Sequence, residues 1–267
     1  MRVLHPQNIS KEDLIKGDTL TEEMMKFLEI CMAHKASFMI AGETSSGKTT
    51  LLNCICAQAD DFMRIYTIES GCRELYLQKR VDGKIINNVV HTQARYSDNG
   101  KFSVPQERLA IMALRFHPSL IIFGEMRSKE AYEAVEASTT GHTVVSTIHA
   151  KTAQMAYSRT ASLYLKEAAA PYQIALHKTV EAFPIVVSTS SLRNGTRKVM
   201  DISEAFVNSK GEIEYRSLFN YHIDKNKILD GKYKITGKFV RNSPISDNLK
   251  HILIAVSYTH LDVYKRQ

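Results

Sequence analysis

Apolar residues fall along this chain in two rhythms that alternate from end to end. Short continuous runs, Phe38-Met39-Ile40-Ala41, Met63 to Ile68, Leu120 to Phe123, Thr143 to Ile148 and Pro184 to Val187, read as strands. Unbroken runs such as Leu120 to Phe123 suit parallel strands covered on both faces. Between them the apolar spacing turns helical. Leu20, Met24, Phe27, Leu28 and Cys31 share one face and predict a helix at about 20–35. Glu22 and Glu23 stand at its start and His34 and Lys35 at its end, as the helix dipole favours. Further helices are predicted after Thr49, over 106–116 until Pro118, from Lys129 to Ser138, and over 152–166 and 170–182. Strands alternating with helices predict an α/β core with a largely parallel sheet.

Two stretches break the alternation. Asp82-Gly83 is a strong two-residue hairpin signal, and predicts a β-hairpin inserted at about 73–92. After a strand from Lys198 to Val207, residues 212–240 alternate and turn at Asp230-Gly231, which predicts a second hairpin before a short helix from Ser246 to Ile254. Residues 1–18 are mixed and polar, with Pro6 and Gly17 as breakers.

Composition narrows the partners more than the fold. The 267 residues are 44% hydrophobic, enough for a large core. No apolar run approaches the ~20 residues a membrane-spanning helix needs, and the start lacks the apolar segment of a signal peptide. Cys31, Cys54, Cys56 and Cys72 lack zinc-finger spacing and are expected to be reduced thiols. The net charge of +7 suits a solvated surface, nucleic acid or an acidic membrane face equally well. No basic stripe interleaved with aromatics is present, so direct nucleic-acid binding is not expected. The last twelve residues, Val256 to Gln267, resemble translation of two abutting transposase mosaic ends from sequencing-library DNA, and the biological chain is expected to end near Ala255.

The chemistry is concentrated in Gly42-Glu43-Thr44-Ser45-Ser46-Gly47-Lys48-Thr49, which matches G-x-x-x-x-G-K-[ST] between a strand and a helix. Gly42 and Gly47 let the backbone curl so that its amides converge on phosphate oxygens, at the positive end of the following helix. Thr44, Ser45, Ser46, Gly47 and Thr50 would complete the cradle. Lys48 would reach the β- and γ-phosphates of a nucleoside triphosphate, and the Thr49 hydroxyl would hold Mg²⁺.

Other candidates lie at strand ends, where open α/β sheets bind ligands. Glu69 ends the second strand, and Glu125, after Gly124, ends the Leu120 to Phe123 strand. Either could orient an attacking water, with Glu125 favoured for magnesium and water. His149 follows the Thr143 to Ile148 strand and suits a γ-phosphate sensor, whereas His142, at the other end, is weaker on position alone. The remaining histidines read as structural. Arg95, Arg115 and Arg127 are the arginine candidates.

Together these residues resemble the traffic ATPases of type II and type IV secretion and type IV pili, with a flavour of the CpaF-like branch carried by conjugative elements. Ile68-Glu69 with Arg73-Glu74-Leu75 resembles the family's acidic box. Gly124-Glu125-Met126-Arg127 resembles its Walker B element, and Thr140-Gly141-His142 through Thr147-Ile148-His149-Ala150 its histidine box. Ser70 departs from the pattern, since many relatives carry Asp there.

The resemblance implies a RecA-like P-loop core over 20–207, a β-rich extension over 208–255, and in 1–19 a linker from a missing N-terminal domain. It implies an ATPase, slowed without that domain, with Glu125, Glu69, Arg127, His149 and His142 as site residues. It further implies a homo-hexamer on the cytoplasmic face of the membrane, working on inner-membrane platform proteins. The competing expectations are a RecA-like DNA motor and a non-enzymatic nucleotide-binding fragment. A GTPase is disfavoured because no base-reading N/TKxD segment follows the loop.

Overall fold

A computed structural model describes residues 9–97, 100–229 and 232–254. The proposed mosaic-end tail, residues 1–8 of the expected linker and the Asp230-Gly231 turn lie outside those residues.

The chain enters through α1 (Lys11–Lys16) and α2 (Glu22–Ala33), then runs β1 (Phe38–Gly42), α3 (Lys48–Cys56) and β2 (Arg64–Ser70). A small hairpin of β3 (Arg80–Val81) and β4 (Lys84–Ile85) precedes β5 (Asn88–Ala94) and α4 (Gln106–Ala113). Next come β6 (Leu120–Phe123), α5 (Glu130–Thr139), β7 (Thr143–Ile148), α6 (Ala153–Tyr164) and α7 (Tyr172–Ala182). The chain closes with β8 (Ile185–Ser191), β9 (Arg197–Val207), β10 (Ile213–Leu229), β11 (Lys232–Arg241) and a helical stretch at 247–254.

Nine strands form one sheet in the order β11-β10-β9-β8-β1-β7-β6-β2-β5. The six from β8 to β5 are mutually parallel, and β9, β10 and β11 extend the sheet antiparallel. Alternation along each buried strand feeds two cores. Phe38 and Ile40 pack with α2 and α3 on one face, while Met39 and Ala41 pack with the cluster of α4 to α7 on the other. That double burial is why the central strands read as unbroken apolar runs.

Two local expectations change. The hairpin predicted over 73–92 shrinks to a pairing of two residues with two around Asp82-Gly83. Asn88 to Ala94 instead pairs in parallel with all of β2, from Arg64↔Asn88 to Ser70↔Ala94, and becomes a sheet edge. Burial on β2 outweighs the local turn signal there. The polar entry segment also holds a helix, α1. Ser10 caps it reciprocally with Asp13, the Ser10 hydroxyl accepting from the Asp13 amide at 3.1 Å and the Ser10 amide donating to the Asp13 carboxylate at 2.9 Å.

Candidate active site

The parallel strands all end on one side of the sheet, and their carboxyl ends bring the sequence-predicted residues together. β1 ends at Gly42, and the loop that follows wraps back to start α3 at Lys48. Two backbone twists make the wrap: Ser45 at φ 62° and Gly47 at φ 94°. Gly47 is the helix cap and offers no side chain, so the first amides of α3 are left to whatever fills the cavity before them. Gly42 is required for a different reason. A Cβ there would stand 2.5 Å from the Thr189 hydroxyl and 2.7 Å from the Thr189 carbonyl oxygen. Gly42→Ala is expected to cost about 1–3 kcal/mol of stability by overpacking, read as a lowered unfolding midpoint in denaturant. An unchanged midpoint would mean the loop does not hold this shape.

Thr189 of β8 ties the loop down. Its hydroxyl lies 2.9 Å from the Ser46 hydroxyl and donates to the Ala41 carbonyl at 3.1 Å. The Ser46 side chain is therefore committed to β8, leaving its backbone to the cradle. On the other flank Arg197, the first residue of β9, donates from Nε to the Ser45 carbonyl at 3.0 Å, and its stem lies against Gly47. Thr189 and Arg197 carry no signal in the sequence, because both reach the loop across about 150 residues of chain.

Lys48 is buried and donates to the Glu43 carbonyl at 2.8 Å, with its ammonium 3.4 Å from His149 Nδ1. Burial draws its pKa below the ordinary lysine range, an effect the Glu125 charge partly offsets. Glu125 follows β6 on a short loop held at three points. The Gly124 amide donates to Ile68 O (2.9 Å), the Met126 amide to Thr147 O (2.9 Å), and the Thr147 hydroxyl to Gly124 O (2.7 Å). Arg127 donates to Glu125 Oε2 at 2.5 Å. The opposite oxygen, Oε1, is buried without a hydrogen bond, although His149 Nε2 stands 3.0 Å from it. Burial lowers the His149 pKa against the opposing pull of the Glu125 charge, which favours the neutral imidazole. Glu130, which sequence reasoning passed over, orders the turn beyond by accepting from the Arg127 and Ser128 amides at 2.5 and 2.8 Å.

These groups surround a cavity of about 590 Å³, lined by Thr44 to Leu51 with Glu125, Arg127, Thr147, His149 and Arg197. Two candidates stand apart from it. Glu69 is buried, and its Oε1 accepts from the Glu74 and Leu75 amides at 2.7 and 3.0 Å. Burial raises its pKa against those hydrogen bonds, and in this position it anchors the segment that brings Glu74 to the cavity wall. His142 sits at the opposite end of β7, six strand residues away from His149, about 20 Å at strand rise.

No group of three or more His, Cys, Asp or Glu residues among the described residues could hold a metal ion. Thr49 and Glu125 do share the cavity, and the unpartnered Glu125 Oε1 fits a hard cation that keeps most of its other ligands as water and phosphate.

The sequence matches the family described as Type II/IV secretion system protein over residues 1–189. The chain belongs to that family. Within it, the chain is 32% identical over 183 residues to the type IV secretion system protein PtlH of Bordetella pertussis, covering 66% of this chain and 52% of PtlH. The crystal structure of the VirB11 ATPase from the Brucella suis type IV secretion system, in complex with sulphate, is similar at 25% identity and a TM-score of 0.55. That match covers 67% of this chain and 51% of the VirB11 chain. The pilus retraction motor PilT with bound ADP shares the fold at a TM-score of 0.50 and 18% identity, over 95% of this chain and 59% of PilT. The neighbours place the α/β sheet among RecA-like secretion ATPases. The chain spans about half the length of the curated relatives it matches first. No helix among its described residues is long and apolar enough to cross a membrane.

Proposed function

We propose that the chain is the ATP-hydrolysing motor module of a secretion, pilus-assembly or conjugation machine. The observation that carries this reading is the convergence of Lys48, Glu125 and His149 on one cavity at the start of α3. Sulphate on VirB11 and ADP on PilT are what a phosphate cradle of this family would take.

In this reading the loop amides and Lys48 bind the phosphates, with Lys48 exchanging the Glu43 carbonyl for phosphate oxygens. Thr49 and Glu125 would hold magnesium, which when bound supplies positive charge to the phosphate oxygens. Glu125 Oε1 orients the attacking water, and Arg127 fixes the carboxylate through its other oxygen. His149, neutral, hydrogen-bonds toward the γ-phosphate position, between Lys48 and Glu125. Glu69 acts through the backbone it holds, and His142 is reserved for a contact outside this cavity. The module would work as a homo-hexamer at the cytoplasmic face of the membrane, passing rigid-body motion to a membrane platform and not to nucleic acid directly.

The test is magnesium-dependent phosphate release from ATP by the chain. His149→Ala is expected to slow release about tenfold, the worth of one hydrogen bond to a charged group, while nucleotide affinity changes less. An effect confined to affinity would remove the sensing role.

A further inference from the structure

β10 outruns its neighbour. Ile213 to Asn220 pair with β9, but from Tyr221 onward β10 pairs only with β11. The Thr19 carbonyl takes the Val199 amide at 2.8 Å, so β9 turns to the entry segment and β10–β11 projects as a two-stranded ribbon. At strand rise its free part is about 25 Å long.

The register gives this ribbon two unlike faces. Directly opposed residues share a face. His222↔Lys238, Lys225↔Thr236 and Lys227↔Lys234 therefore form one side, and Ile223↔Gly237, Asn226↔Ile235 and Ile228↔Tyr233 the other. Among the described residues, none of the four lysines makes an ion pair; the nearby carboxylate of Asp224 faces His222 at 3.8 Å. On the apolar side Ile228 is 62% exposed, Ile223 37% and Tyr233 36%. That side continues inward to Tyr221 and Phe239, whose tilted rings pack with centroids 4.9 Å apart. At its rim the Arg193 guanidinium lies 5.4 Å from the Tyr233 ring centre.

We infer that the β10–β11 ribbon docks the protein on an anionic lipid surface. This deepens the proposed location of the motor at a membrane. The isoleucines and Tyr233 would settle into the boundary between headgroups and acyl chains, to a depth of about 5–10 Å. A ribbon is thin enough that lysines on its far side remain within about one Debye length, ~8 Å, of the phosphates. Arg193, held on Tyr233, meets the headgroups directly. Duplex DNA fits less well. Its major groove admits a ribbon whose lysines could meet phosphates or guanine, but the isoleucines and Tyr233 on the other face would stay in water.

The test is co-sedimentation of the intact chain, without nucleotide, with vesicles of phosphatidylcholine alone or with about 30% phosphatidylglycerol. The chain should bind the mixed vesicles and not the neutral ones. The triple variant K225E/K227E/K234E should lose about a hundredfold or more in affinity, and Ile228→Ser with Tyr233→Ser about tenfold. Phosphate release in solution should be unchanged in both, which separates this inference from the hydrolysis reading. Equal binding by wild type and both variants would overturn it. So would indifference to anionic vesicles, including the case where the same lysines retain duplex DNA.

Discussion

Lys48→Ala should abolish nucleotide-dependent phosphate release, lowering turnover by at least about a hundredfold. The side chain is the only lysine in the cavity's phosphate loop, and its ammonium is held beside His149 and Glu125, where transferred charge would develop. Its effect on folding should have the opposite sign. Burial has already pulled the Lys48 pKa down, so the folded state pays to keep the ammonium charged at neutral pH. Removing it should leave the nucleotide-free unfolding midpoint unchanged or raised, while activity disappears. A loss of activity accompanied by unfolding would point to a structural lysine, and full activity would sink the nucleotide reading.

Glu125→Gln should retain ATP and stall its turnover, with kcat reduced about 10²–10³-fold. The amide keeps the shape of the side chain and can still accept from Arg127, but it cannot draw a proton from water or serve a cation as a carboxylate does. Glu69→Gln provides the contrast. An amide oxygen can still accept from the Glu74 and Leu75 amides, so turnover should stay within a few-fold of wild type. If the two variants exchange outcomes, the water-orienting role belongs to Glu69, and the buried anchor has been misassigned.

Much of this arrangement was legible in the chain because the central strands are covered on both faces. Leu120 to Phe123 and Thr143 to Ile148 announce themselves as unbroken apolar runs, and whatever follows such a run in a parallel sheet lands on the ligand side. That logic placed Glu125 and His149 beside the phosphate loop and His142 away from it. The same logic brought Glu69 to the right edge but could not foresee its partners. Two backbone amides five and six residues later occupy one of its oxygens, and no periodicity encodes that turn. Thr189, Arg197 and Glu130 escaped for related reasons. The first two meet the loop only after the sheet is assembled, and the third looks like any acidic residue in the first turn of a helix. The Asp82-Gly83 signal was real, yet its second arm was claimed by β2, since a seven-residue parallel ladder outweighs extension of a hairpin.

The most direct measurement is a calorimetric titration of the chain with a non-hydrolysable ATP analogue and magnesium, in wild type and in Lys48→Ala. The site at the start of α3 requires one analogue bound per wild-type chain, weakened when magnesium is withheld and lost in the variant. Binding of equal strength in both proteins, or none to the wild type, would contradict it.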